Sequence, residues 1–250
     1  MAKTTKKNAG KTKKTTSAKK TTKKVVAKKT STKKTTPKKK ETTHILAILD
    51  RSGSMSTVAL DAIGGYNAFL AEQKKLKDKA TLSGMLFDDK FEPLNNGQIL
   101  NIKDVPELTT ATFQPRGSTA LFDAIGKTVN TYKGEKNNAD KVLVIIITDG
   151  HENASREYSQ RDISDLITYQ KKNNWQFVFL CSTEDAITVG ASLGVSRGNT
   201  LKFANTSVGN AAMYSTLSKS VASFRGANLA DVNYSAKVDS LFNDEEENKK

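Results

Sequence analysis

Apolar and polar positions alternate in two distinct ways along this chain. His44–Asp50 (HILAILD) and Val142–Ile147 (VLVIII) are apolar at successive positions and bounded by polar residues. Short continuous runs of this kind, rich in β-branched residues, predict strands covered on both faces. Trp175–Leu180 (WQFVFL) reads the same way. Between these runs the period lengthens. Ile63, Tyr66 and Leu70 predict a helix over Ser56–Leu76, with Lys74, Lys75 and Lys77 gathered near its end. Gly64-Gly65 inside it lowers helix propensity and points to close packing there. Phe122, Ile125, Val129 and Tyr132 predict a helix opened by Arg116-Gly117-Ser118-Thr119 and closed by Lys133-Gly134. Ile163, Leu166, Ile167 and Gln170 predict one over Gln160–Lys171. Ala186–Leu193 reads as a short helix, and Met213, Leu217, Val221 and Phe224 mark the last.

Leu82–Phe87 and Phe91–Leu94 flank Asp88-Asp89-Lys90 as a hairpin, and Asn199–Phe203 reads as a short edge strand. Pro106 argues against a long regular element over 98–108. Strands alternating with helices across short loops predict an α/β class: a doubly wound, mostly parallel sheet with helices on both faces. Such sheets take ligands at the carboxyl ends of their strands.

Charge divides the chain. Of its 40 basic residues, 17 are lysines within residues 1–40, where no acid occurs, leaving 23 basic against 26 acidic residues in the body. The net +14 is therefore carried by an arm, residues 1–41, ahead of a domain over 42–225 and a polar extension over 226–250 that ends in the acidic run Asp244–Glu247. The arm has almost no large apolar side chains, so it is expected to stay disordered. Lysine density of this kind suits phosphate neutralisation without sequence preference. Lys13, Lys14, Lys19, Lys20, Lys23, Lys24, Lys28, Lys29, Lys33, Lys34, Lys38, Lys39 and Lys40 are the candidate polyanion contacts. In composition the arm resembles the lysine-rich tails of linker histones and histone-like bacterial proteins. A self-repelling, solubilising leader has the same composition.

The single cysteine, Cys181, leaves no intramolecular disulfide and fits a reducing compartment. There is no apolar run of about 18 residues and no apolar segment behind the first charges, so neither a membrane span nor secretion is expected. The expectation is an intracellular protein, cytoplasmic or in the nucleoid or nucleus.

The candidate chemistry lies where the strongest strands stop. One ends in Asp50, followed by Ser52 and Ser54; another leads into Thr148-Asp149-Gly150. Parallel strands would bring both aspartates to one sheet edge, with Thr119 at the start of a helix there. Two carboxylates and three hydroxyls form an all-oxygen donor set, which suits a hard cation such as Mg²⁺ or Mn²⁺. Each piece alone has an ordinary reading, since serines after an aspartate also cap helices and Thr-Asp-Gly also makes turns.

Asp50-Arg51-Ser52-Gly53-Ser54, Thr119 in GSTALFDA and Asp149 in TDG together resemble the metal-ion-dependent adhesion site of von Willebrand factor type A domains. All five positions match. The resemblance, over about 42–225, implies a non-enzymatic module. Ser52, Ser54 and Thr119 would touch the cation directly, and Asp50 and Asp149 directly or through water. An Asp or Glu of a partner protein would complete the shell. From their positions next to these residues, Arg116, His151, Glu152 and Asn153 are candidates for the rim of the site; a solvent-facing turn is the plainer reading of 151–153.

Competing chemistries lack parts. A dehalogenase-type phosphatase would need aspartate at 52. A serine hydrolase would need a G-x-S-x-G elbow, and His44 stands at the far end of its strand. One cysteine and two histidines do not make a zinc site, and no phosphate-binding glycine loop occurs. A nucleic-acid condensing protein with the domain as its structural head is the alternative reading.

Overall fold

The computed structural model describes residues 41–134 and 138–242. The lysine arm up to residue 40 and the acidic run Asp244–Glu247 lie outside them. The described body holds a seven-stranded sheet ordered β3-β2-β1-β5-β6-β7, with β4 also on β2. The strands are β1 (Thr43–Asp50), β2 (Ala80–Phe87), β3 (Phe91–Pro93), β4 (Leu100–Asn101), β5 (Lys141–Thr148), β6 (Trp175–Cys181) and β7 (Thr200–Lys202). β1 pairs in parallel with β2 and β5, β5 with β6, and β6 with β7. Only the short β3 and β4 run antiparallel, both on β2.

The continuous apolar runs follow from two cores. Along β1, Ile45, Ala47 and Leu49 enter one cluster; along β5, Leu143, Ile145 and Ile147 join them. Leu46, Ile48, Val142, Val144 and Ile146 enter the other. With side chains alternating across the pleat, both faces must be apolar, so no polar position interrupts the run.

Helices α1 (Ala59–Lys75) and α5 (Ser207–Gly226) cover the first face. Helices α2 (Leu121–Tyr132), α3 (Gln160–Lys171) and α4 (Ala186–Ser192) cover the second. α3 starts as its sequence suggests: the Ser159 side chain accepts from the Asp162 amide while the Asp162 carboxylate accepts from the Ser159 amide. Gly65 makes the close approach expected within the glycine pair, since a Cβ there would fall 2.1 Å from the Tyr214 ring of α5. Gly64 has nothing within 4 Å.

Three expectations shift. The helix after the RGST turn begins at Leu121 rather than at the turn itself. Gly117 takes φ +65°, a left-handed conformation incompatible with a helix start, and residues 116–120 remain a loop. α1 likewise begins at Ala59, preceded by 3₁₀ turns over Gly53–Val58. The segment after Gly226, read as a polar extension, packs on the domain as far as it is described. It forms a short α6 (Tyr234–Val238), and Val238 and Phe242 are buried in the first core. Two apolar residues four apart suffice because Asn199 holds the backbone beside them, donating to the Val238 carbonyl and accepting from the Leu241 amide.

Candidate metal centre

The register of β1 on β5 sets Asp50 beside Thr148. Thr148 Oγ1 donates to Asp50 Oδ2 at 2.5 Å, and the Ser52 amide donates to Oδ1 at 2.7 Å. The chain thus folds back as it leaves the strand. Ser52 Oγ and Ser54 Oγ lie 3.1 Å apart, and Ser54 Oγ donates to Asp149 Oδ1 at 2.6 Å. Gly150 closes the cluster: a Cβ built there would lie 3.3 Å from Thr119 Oγ1 and 3.7 Å from Ser54 Oγ. Thr119 is fixed from behind, its amide donating to Asn153 Oδ1 and its carbonyl accepting from the Asn153 amide. The oxygens of Asp50, Ser52, Ser54, Thr119 and Asp149 therefore converge on one sheet edge.

Both carboxylates are desolvated. Burial pushes Asp50 up to about 6, against the hydrogen bonds from Thr148 and Ser52. Burial raises Asp149 too, opposed by Ser54 and Asn205. Among the described residues, no cation is among the causes acting on either group. Adjacent ligands of an octahedral ion at about 2.0–2.1 Å stand about 2.9 Å apart. The separations of 3.1 and 2.6 Å bracket that spacing. The donor set fits a hard divalent cation: oxygen only, two buried carboxylates, and hydroxyls at the spacing of a shared coordination edge.

The residues expected at the rim differ from one another. His151 is exposed, with Nδ1 3.9 Å from Asp185 Oδ1. Glu152 turns inward: its carboxylate accepts from the Phe122, Ala154 and Ser155 amides and from the Ser155 hydroxyl, capping the start of α2. Arg116 is held by Asp88 and Glu92. A cavity of about 160 Å³ beside the oxygen cluster is lined by residues including Gly150, His151, Cys181 and Thr183. A concavity of about 730 Å³ between α1 and α5 is lined by the helix layer and by none of the five oxygen-bearing residues.

Sequence reasoning missed Thr148 and Asn205, and it placed Asn153 at the rim rather than behind Thr119. Thr148 is signalled only by the strand register. Asn205, whose Nδ2 donates to Asp149 Oδ2 at 3.1 Å, lies 56 positions from its partner and carries no local mark. The lysine contacts of the arm fall outside the described residues.

No family model matches the chain, and no curated protein matches it. Solved structures do. The ArnB paralog VWA2 from Sulfolobus acidocaldarius is similar at 19% identity and TM-score 0.52, covering 71% of this chain and 44% of that one. Proximal thread matrix protein 1 from the mussel byssus, with a zinc-occupied MIDAS motif, is similar at 13% identity and TM-score 0.52, covering 72% and 48%. The pilus adhesin SpaC from Lactobacillus rhamnosus GG is similar at 11% identity and TM-score 0.55, covering 74% and 30%. The chain thus spans less than half the length of each of these three. These likenesses show the fold, that of the von Willebrand factor type A domain.

Proposed function

We propose that the body of this chain is a metal-dependent protein-binding module, not an enzyme, and that its lysine arm holds it to nucleic acid or another polyanion. The observation that carries the reading is the convergence of five oxygen-bearing side chains on one sheet edge, with two buried carboxylates that no cation among the described residues offsets. A divalent cation bound there supplies an electrophilic position for the carboxylate of a partner Asp or Glu. Ser52, Ser54 and Thr119 would hold it as neutral donors, leaving it more electrophilic toward the partner than an all-carboxylate shell would. Asp50 and Asp149 would hold it directly or through water, fixed by Thr148 and Asn205. Mg²⁺ or Mn²⁺ is favoured by a shell of oxygens alone. The zinc-occupied motif in the mussel protein supports a divalent ion in this place on the fold.

A displayed library of random peptides, panned on the full chain in Mg²⁺ and again in EDTA, tests this. The expected result is enrichment of peptides carrying Asp or Glu in Mg²⁺ alone, lost in Asp149→Ala. Equal enrichment in EDTA would overturn it.

The arm favours a second reading, nucleic-acid condensation, through its 17 lysines and the absence of acid before Glu41. Under that reading DNA binding would be the whole activity, and Asp149→Ala would change nothing.

A further inference from the structure

Arg51 and Arg116 stand in the two loops that carry the hydroxyls of the site, and neither guanidinium faces solvent alone. Arg51, between Asp50 and Ser52, is 1% exposed. Its Nη1 donates to Glu92 Oε2 at 2.6 Å, and its Nε lies 3.2 Å from Asp88 Oδ2. Arg116, three residues before Thr119, donates from Nε to the same Asp88 oxygen at 2.9 Å and from Nη2 to Glu92 Oε1 at 2.5 Å. Two carboxylates of the β2–β3 hairpin thus clasp two arginines from two different loops. The backbone follows the same path: the Arg116 amide donates to the Arg51 carbonyl, Gly53 to Gly117, Arg51 to Phe87 and Ala120 to Asp88. Gly117 takes φ +65°, which favours glycine, and a Cβ there would also displace the exposed Asp89 carboxylate.

The arrangement is costly. Among the described residues, Arg51 Nη2 is buried without a hydrogen-bond partner, and Nε meets Asp88 as an ion pair at 3.2 Å without forming a hydrogen bond. A buried guanidinium with unmet donors is a poor way to fill a core, and groups of this kind call for an explanation other than packing. The paired arginines hold Glu92 ionised down to about 2, so the clasp stays charged throughout the neutral range.

We infer that Arg51, Arg116, Asp88 and Glu92 are positioning residues for the metal centre, setting the separation between the Ser52–Ser54 loop and the Thr119 loop. The inference rests on the proposed cation site. Cation affinity should then depend on side chains that touch none of the five oxygens. Partners behind metal ligands commonly govern affinity by about 10-fold or more.

Arg116→Ala separates this from the alternatives. Removing a positive charge near a cation site would, by electrostatics alone, tighten binding. Loss of positioning weakens it. Mn²⁺ affinity of the full chain would be measured by calorimetry, with unfolding midpoints in EDTA confirming that each variant is folded at the assay temperature. The expected result is a Kd raised about 10-fold in Arg116→Ala and in Glu92→Ala, and no further in the double variant, because the clasp acts as one unit. Glu184→Ala, which removes an acid from an exposed pair with Lys202, should leave the Kd unchanged. A Kd that is unchanged or lower in folded Arg116→Ala overturns the inference while leaving the site intact. No Mn²⁺ binding by the unaltered chain overturns the site itself, and the inference with it.

Discussion

Acid should find a specific weakness at His44. This residue opens β1, wholly buried, with Nδ1 2.8 Å from Thr81 Oγ1 and Nε2 3.0 Å from Ser83 Oγ. Burial lowers its pKa from 6.5 to about 4. The folded protein thus holds this imidazole neutral at pH values where the unfolded chain protonates it. The histidine's contribution to stability is fully present above pH 6.5 and is lost as pH falls from 6.5 toward 4. A depression of about 2.5 units at about 1.4 kcal/mol each amounts to about 3 kcal/mol at the limit, of which about 2 kcal/mol is gone by pH 5. Asp50 works in the opposite direction, since its raised pKa lets the folded state take up a proton near pH 6. The histidine is isolated by comparing the protein with His44→Gln, which keeps polar atoms toward Thr81 and Ser83 but does not titrate. Urea unfolding of both at pH 7.5, 6 and 5 gives the difference directly. The variant should be the less stable at pH 7.5 and gain about 2 kcal/mol on the parent by pH 5. A difference that stays constant with pH would refute the reasoning, as would an NMR titration placing His44 near 6.5.

The two adjacent glycines of α1 should respond in opposite senses. Gly64→Ala enters open space and should stabilise by about 1 kcal/mol through helix propensity. Gly65→Ala meets the buried Tyr214 ring and should destabilise by about 1–3 kcal/mol, both read by thermal unfolding. If the arm binds DNA, log affinity should fall linearly with log salt. Replacing Lys13, Lys14, Lys19 and Lys20 by glutamine should reduce that slope by about 3.6 if all four contact phosphate. A slope untouched by those changes would remove the arm from DNA binding.

The elements legible in the sequence are those with a single strong physical cause. β1, β5 and β6 are buried on both faces, so their apolar runs have no competing reading. α3 carries its own reciprocal cap at Ser159 and Asp162. The five oxygen-bearing residues are readable because each ends a strand, sits one to four positions past one, or lies in a glycine-containing turn. What could not be read depends on distant partners. Arg51 looks like an ordinary exposed loop residue, and only the β2–β3 hairpin folding over it shows that it is buried. Glu152 looks like a rim acid, but the α2 amide it caps, that of Phe122, comes from thirty positions earlier. The start of α2 was misplaced because Gly117 adopts a left-handed conformation that its neighbours in sequence do not announce.

The central claim is that Asp50, Ser52, Ser54, Thr119 and Asp149 form a cation site. A calorimetric titration of the full chain with Mg²⁺ and Mn²⁺, beside Asp50→Ala, tests it most directly. The account predicts a saturable signal with one ion per chain and a stabilisation of about 3 kcal/mol at a hundredfold excess over the Kd, both lost in the variant. An unaltered chain that gives no signal, or an Asp50→Ala variant that binds as well as its parent, would contradict it.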